Sequence, residues 1–364
     1  MRRISRRRKL AFAAAALTLA LAAALLALEV GLRLLWTGYY LKEPGMRARP
    51  SPTLGWENRP SVEFTYGEPE FVMAVRHDER GFRGPGVPAT KPSGGARVLA
   101  LGDSFTYGIG VQEHETYAAR LQALDPRLQV INAGVQGYGT AQALQLYRER
   151  GALDADVVLL GYFWNDLANN VKGPRLGYAL GPAGELTYTR PTHEVRDPGP
   201  DFKKTPFRGS RAYRFLSDRL KMLRYRAKAA LGVATEDPDL LRPDELEEAW
   251  AWQEALLREL ARLVAERGAR LVVAIIPDQV QVHPEVEVVG LSAHYVDVQP
   301  RLLALGQRLG ITMVDLTPGL KDLAAREGVT LYHRYDRHLD AAGQDAAARL
   351  MLDAVRRAAG LAQE

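Results

Sequence analysis

From residue 96 onward the chain predicts an α/β fold, a parallel sheet covered by helices. Three observations carry this prediction. Short apolar runs of strand length alternate with longer stretches of helical periodicity; the runs hold almost no charge, as strands buried on both faces require; and the first three each stop at a glycine- or asparagine-bearing turn. In such folds the turns after the strands share one rim, where ligands and chemistry gather.

The elements follow in order. Arg2, Arg3, Arg6, Arg7, Arg8 and Lys9 precede an uncharged Ala/Leu run from Leu10 to Leu28 and a mixed stretch to Trp36. A helix of that length crosses a hydrocarbon layer of ~30 Å with its basic flank on the cytoplasmic side, so residues 1–9 read as a cytoplasmic tail and 10–36 as an uncleaved signal anchor. The protein is then a single-pass protein of a bacterial inner membrane with its bulk outside the cytoplasm. A cleaved signal peptide is the rival, but the run exceeds the usual apolar core of ~7 to 15 residues. Ser5-Arg6-Arg7 loosely matches a twin-arginine signal, and Lys9 stands where an apolar residue is usual. Residues 37–96, rich in Pro, Gly and charge, read as a stem with short strands. The main domain, 97–360, has strands at Val98–Leu101, Gln129–Asn132, Val157–Gly161, Leu271–Ile276 and Thr312–Asp315. An insertion occupies about 171–239; helices are expected from about Pro243 to Arg267 and from about Ala341 to Ala359, the latter capped by Asp340.

Composition removes several functions. The 364 residues contain no cysteine, which excludes a thiol nucleophile, thiolate metal sites, disulfides and a lipoprotein anchor. Net charge is +5, yet six positive charges lie ahead of the apolar run, so the exported part is nearly neutral and nucleic acid is not an expected partner. The local exception is Lys203–Lys228, where ten cations face Asp218 alone, with Leu216, Leu220, Leu223 and Ala227 at helical spacing. That is an amphipathic basic helix: either a solvated face packed by its apolar stripe, the favoured reading, or a contact for anionic lipid or acidic polysaccharide.

The chemistry is expected at the strand ends. Strand one ends in Gly102-Asp103-Ser104, strand two in Asn132-Ala133-Gly134, strand three in Gly161-Tyr162-Phe163-Trp164-Asn165-Asp166. Ser104 offers a hydroxyl and a backbone N–H, Gly134 a backbone N–H unobstructed by a Cβ, and Asn165 a carboxamide N–H, three donors for a developing oxyanion. A serine nucleophile needs a base and the base an orienting carboxylate. Asp336-Arg337-His338, before the last helix, supplies both if the chain bends there, with Asp315 the reserve carboxylate. Each piece has a plain reading, as a turn tripeptide, a turn glycine, a strand-end cap or a surface histidine; their joint placement favours a serine hydrolase. His77, His114, His193, His283, His294 and His333 show no metal spacing and take structural or surface roles. Gly134-Val-Gln-Gly-Tyr-Gly lacks the dinucleotide pattern, and Thr106 stands where an α/β-hydrolase elbow needs glycine.

With these blocks in place the chain resembles the SGNH superfamily, or GDSL hydrolases, over about Ala96–Ala359, with Ser104, Gly134, Asn165 and His338 at the four marker positions. The resemblance implies a flavodoxin-like three-layer α/β/α sandwich with five parallel strands, no metal or organic cofactor, and hydrolysis or transfer of ester-linked acyl groups. Many members hold the aspartate three residues before the histidine, where Tyr335 stands here; Asp336, two before, matches the Asp-x-His motif of the alginate O-acetyltransferase-like branch. The expected function is a serine esterase acting through an acyl-serine on small acyl groups of envelope carbohydrate or lipid. An envelope polysaccharide O-acetyltransferase is the alternative, and a non-catalytic polysaccharide-binding protein the alternative of another class. Phe105, Tyr107, Tyr138, Tyr162 and Trp164 either offer aromatic faces to a sugar or lipid or serve as packing anchors.

Overall fold

Strands with no solvated face must lie side by side under helices, and the computed structural model has this arrangement. It describes residues 5–35, 47–68, 70–151, 153–173, 176–189, 210–231, 241–284, 297–334 and 336–361. Tyr335, His193, His294, Lys203, Lys204 and Arg208 lie outside the described residues.

In chain order the elements begin with α1 (Arg6–Leu35) and four short strands, β1 (Ala48–Ser51), β2 (Gly55–Asn58), β3 (Val62–Glu68) and β4 (Phe71–His77). Next come β5 (Ala96–Gly102), α2 (Ser104–Tyr107), α3 (Tyr117–Leu124), β6 (Leu128–Asn132), α4 (Thr140–Arg150), β7 (Val157–Tyr162) and α5 (Asp166–Lys172). The insertion holds β8 (Tyr178–Leu180), β9 (Leu186–Tyr188) and α6 (Arg211–Ala230). The chain closes with α7 (Pro243–Glu266), β10 (Arg270–Ile275), α8 (Gln279–Val282), α9 (Gln299–Leu309), β11 (Thr312–Asp315), α10 (Thr317–Glu327) and α11 (Ala341–Ala358).

Five strands form one sheet in the order β11-β10-β7-β5-β6, every neighbour parallel. Numbered along the chain this is 2-1-3-4-5, the flavodoxin-like order, whose switch point lies between β5 and β7. Register brings the strand ends level there, with Gly102 opposite Gly161 and Ala100 opposite Asn132. The turns bearing Ser104, Gly134 and Asn165 therefore open on one rim.

Packing follows the sequence pattern. Every residue of β5 and β7 is buried. Helices α3 and α11 cover one face, and α4 and α7 the other. Ala249, Gln253, Leu256, Leu260 and Val264 recur at helical spacing on the buried side of α7, while Asp340 caps α11 by accepting the Gly343 N–H at 2.9 Å. Leu54, Trp56 and Phe82 join the main core from the N-terminal side. The antiparallel β3–β4 hairpin adds a small second core, in which Phe64, Phe71, Met73 and Val75 pack with Tyr107 and Ile109 directly behind α2.

Candidate active site

The turn that carries Ser104 begins where β5 runs out. Gly102 has φ +146°, and a Cβ there would stand 2.1 Å from Thr106 Oγ1 and 2.6 Å from the Gly161 carbonyl oxygen of β7, so only glycine fits. Asp103 then caps α2, its Oδ1 accepting the Phe105 N–H at 2.9 Å. Four further groups clamp the turn. Thr106 Oγ1 donates to the Leu101 carbonyl at 3.2 Å and accepts from Tyr117 Oη at 2.7 Å; Asn132 Nδ2 donates to the Thr106 carbonyl at 2.8 Å. Buried Arg83 donates to the carbonyls of Tyr107, Gly108 and Val111 at 2.6, 2.5 and 2.6 Å. Ser104 is thus presented on a rigid mount, 7% exposed.

The far end of the chain closes on it. Ser104 Oγ lies 2.7 Å from His338 Nε2, and His338 Nδ1 lies 2.5 Å from Asp336 Oδ1. With Nδ1 protonated, the hydroxyl donates to the imidazole and the imidazole to the carboxylate, a continuous hydrogen-bonded chain in which Ser104 and His338 lie 234 residues apart in sequence. Residues two apart face each other only through a sharp bend, and Arg337 supplies it at φ +70°. A left-handed arginine costs roughly 1–2 kcal/mol. The surroundings hold it: the Arg337 N–H donates to the His333 carbonyl at 3.1 Å, the His333 N–H to the His338 carbonyl at 2.9 Å, and the guanidinium pairs with buried Asp278, which also accepts Trp164 Nε1 at 2.9 Å. Glu70, at the tip of the β3–β4 hairpin, accepts the Asp336 N–H at 2.8 Å. Burial opposes a charged His338, but the charge and hydrogen bond of Asp336, with a contribution from Asp103, outweigh it and lift the imidazole above its usual range.

The three expected oxyanion donors differ in state. The Ser104 N–H opens the α2 turn, where helical bonding leaves it without a partner carbonyl. Asn165 is the residue before α5 but its side chain caps nothing, and its Oδ1 is buried without a partner. Gly134 departs from expectation: its N–H is turned to Asn132 Oδ1 at 3.1 Å, the side chain two residues earlier closing a local turn. The glycine is needed for a second reason, since a Cβ would meet Tyr107 N at 2.3 Å.

Two groups escaped the sequence reading. Asp103 and Asp166 are fully enclosed beside the triad, with Asp103 Oδ2 and Asp166 Oδ1 lacking partners. Burial pushes both carboxyls upward, and the negative charge of Asp103 pushes Asp166 further still. The only signal was position, one residue before Ser104 and one after Asn165. Asp315, the reserve carboxylate, is engaged elsewhere: its Oδ1 accepts the Thr317 N–H at 2.9 Å and starts α10. The aromatics are packing anchors, not faces for a ligand: Phe105, Tyr107, Tyr138, Tyr162 and Trp164 are all buried, and Phe105 stacks 4.7 Å from His338 and 4.2 Å from Phe163. His77 is buried against Tyr107 Oη at 2.8 Å, and burial lowers it to about 4. Among the described residues no group of three His, Cys, Asp or Glu is placed to hold a metal ion.

Residues 235–364 match the family described as SGNH hydrolase-like domain, acetyltransferase AlgX. That segment takes in Asp336 and His338; Ser104, Gly134 and Asn165 precede it. No curated protein matches the chain. Similar solved structures include an acetyl xylan esterase, AlAXEase, at 13% identity over 71% of this chain and 99% of that one, TM-score 0.41. A catalytic mutant of Axe2, an acetylxylan esterase from Geobacillus stearothermophilus, is 15% identical over 75% and 98%, TM-score 0.37. A member of the lipolytic G-D-S-L family from Veillonella parvula DSM 2008 is 12% identical over 72% and 98%, TM-score 0.37. The chain has the flavodoxin-like α/β architecture. Its C-terminal third is similar, more narrowly, to the AlgX acetyltransferase domain.

Proposed function

We propose that this protein is a membrane-tethered serine esterase or O-acyltransferase that handles small acyl groups through an acyl-serine intermediate. The Ser104–His338–Asp336 relay carries the reading. His338 Nε2 takes the Ser104 proton as Oγ attacks an ester carbonyl, and Asp336 holds the Nδ1 proton and stabilises the imidazolium that forms. The tetrahedral oxyanion draws on the Ser104 N–H and Asn165 Nδ2; Gly134 joins once its N–H is shared away from Asn132. The imidazolium then protonates the departing alkoxide. Water or a sugar hydroxyl, deprotonated by the same nitrogen, collects the acyl group and frees Ser104.

A nucleophile only 7% exposed and walled by Phe105 suits an acetyl-sized group better than a long chain. The AlgX match favours acetyl transfer over plain hydrolysis. The hydrogen-bonded Ser104, His338 and Asp336 support this reading over the non-catalytic alternative, which was favoured only where those residues did not meet. Helix α1 is long and apolar enough to cross a membrane, and none of its residues is buried against the rest of the chain. Read as an anchor, with Arg6–Lys9 on the cytoplasmic side, it holds the site on the envelope side.

The direct test is turnover of p-nitrophenyl acetate by the detergent-solubilised full chain. Ser104→Ala should lower kcat by about 10³-fold or more; unchanged turnover would sink the assignment. Mass spectrometry of the acyl-enzyme trapped from envelope extracts would then identify the acyl group.

A further inference from the structure

We infer that α6 is an interfacial helix that lies on the outer leaflet of the membrane, its leucine stripe in the headgroup region of anionic lipid. The inference rests on α1 being the span, and three observations carry it.

The first is where α6 starts. Glu29, the first charged residue after the uncharged run of α1, accepts from Ser210 Oγ and the Ala212 N–H at 2.8 Å each, and Arg211 donates to the Leu32 carbonyl at 3.0 Å. The end of the span thus caps the first turn of α6. Contact stops there: along α1 only Leu28, Glu29, Gly31 and Leu32 are even partly covered, so α6 meets the outer end of the span and does not run down its length. A helix beginning at that depth starts in the membrane–water interface.

The second is an apolar stripe without cover. Leu216, Leu220 and Leu223 recur on one face and are 44, 47 and 63% exposed. The sequence favoured a stripe packed on the protein; among the described residues it stays exposed, and the N-terminus of α6 is engaged by α1. Apolar surface in this position gains from leaving water.

The third is charge. The helix carries seven Lys and Arg against Asp218. At 3.6 residues per turn Arg219 and Arg226 flank the stripe on one side and Arg224 on the other. Long cationic side chains beside an apolar stripe lie their stems along it and reach headgroup phosphates with their tips. An anionic leaflet attracts such a row, and its continuity with the span selects membrane over a soluble polyanion.

The chain has no cysteine, so Leu220→Cys gives a single labelling site. The full chain, labelled there with an environment-sensitive fluorophore, is placed in nanodiscs of phosphatidylcholine with or without phosphatidylglycerol. Expected are a blue shift and quenching by nitroxide-labelled lipid in the anionic discs, both reduced when Arg219, Arg224 and Arg226 become Gln. A label at Arg349→Cys on α11, 63% exposed there, reports how the globular domain itself responds. Leu216→Ser with Leu223→Ser is the second variant, should the Gln triple fail to fold, and should likewise lose the shift. An aqueous signal at 220 in both discs overturns the proposal. So does a shift that appears with a soluble acidic polysaccharide and not with anionic lipid. Failure of the chain to enter discs, scored by size exclusion, overturns it through α1, and is distinguishable from an anchored chain whose α6 stays in water.

Discussion

Replacing Asp336 by Asn separates the orienting role of this carboxylate from simple packing. The substitution keeps shape and volume but removes the charge 2.5 Å from His338 Nδ1. Without that carboxylate the tautomer with Nδ1 protonated loses its partner and the imidazolium its counter-charge, which in a serine triad lowers kcat by about 10⁴-fold, or about 5.5 kcal/mol at 1.36 per decade. The pH profile supplies an independent readout. His338 must be neutral to act as base, so activity falls as pH drops through its pKa. In the native protein burial pulls that pKa down and Asp336 more than restores it, placing the acid limb above the ordinary imidazole value of 6.5. In Asp336→Asn burial remains and the restoring charge is gone, so the limb moves to lower pH even as the plateau collapses. The raised pKa also stabilises the fold below the unfolded imidazole value and is lost as pH rises through the folded one. The variant should therefore lose more stability at acid pH than at pH 8. Steady-state kcat/KM across pH, with denaturant melts at both ends, measures all three; near-normal turnover with an unmoved acid limb would refute the reasoning.

Three further outcomes are expected. Asp278→Asn strips the counter-charge from Arg337, whose side chain is 14% exposed, and breaking such a pair costs about 3–5 kcal/mol; chemical melts should show this, and kcat should fall more than KM rises because the bend at residue 337 loosens, whereas unchanged melts and kcat would clear Asp278 of the role. Asp166→Asn should stabilise the protein more at pH 8 than at pH 5: a carboxyl whose folded pKa is raised loses stability as pH rises above its unfolded value, and Asn removes that proton linkage. Equal effects at both pH values would contradict this. Gly102→Ala should destabilise by about 2–4 kcal/mol and lower activity with it, since φ +146° and the Gly161 carbonyl both oppose a Cβ; a melting temperature within error of the native value would show that the β5 turn yields more easily than its contacts suggest.

Much of this was legible in the sequence, for identifiable reasons. Apolar strand-length runs dictate burial, which is why the five strands of the sheet fell where those runs did, the edge strand β11 with Asp315 and no buried residue being the least covered, and Asp340 before an Ala-rich helix announced its own cap. Ser104, His338 and Asp336, which the fold brings within hydrogen-bond distance, were legible as candidates because serine, histidine and aspartate at strand and helix ends have few other uses in combination. What the sequence could not carry was which local partner wins. The Gly134 N–H bonds to Asn132 Oδ1, Asp315 starts α10 and the strand-end aromatics join the core, because each finds a partner within the folded chain. The same holds for α6, whose periodicity determined a leucine stripe but not what covers it; only Glu29, brought to its first turn from 181 residues away, decided where that stripe lies. Patterning is a property of nearby residues and survives in one dimension. The bend at Arg337, the carboxylate pair Asp103 and Asp166, and the reach of Glu70 to Asp336 arise from contacts between segments far apart in the chain, and only the folded structure brings those together.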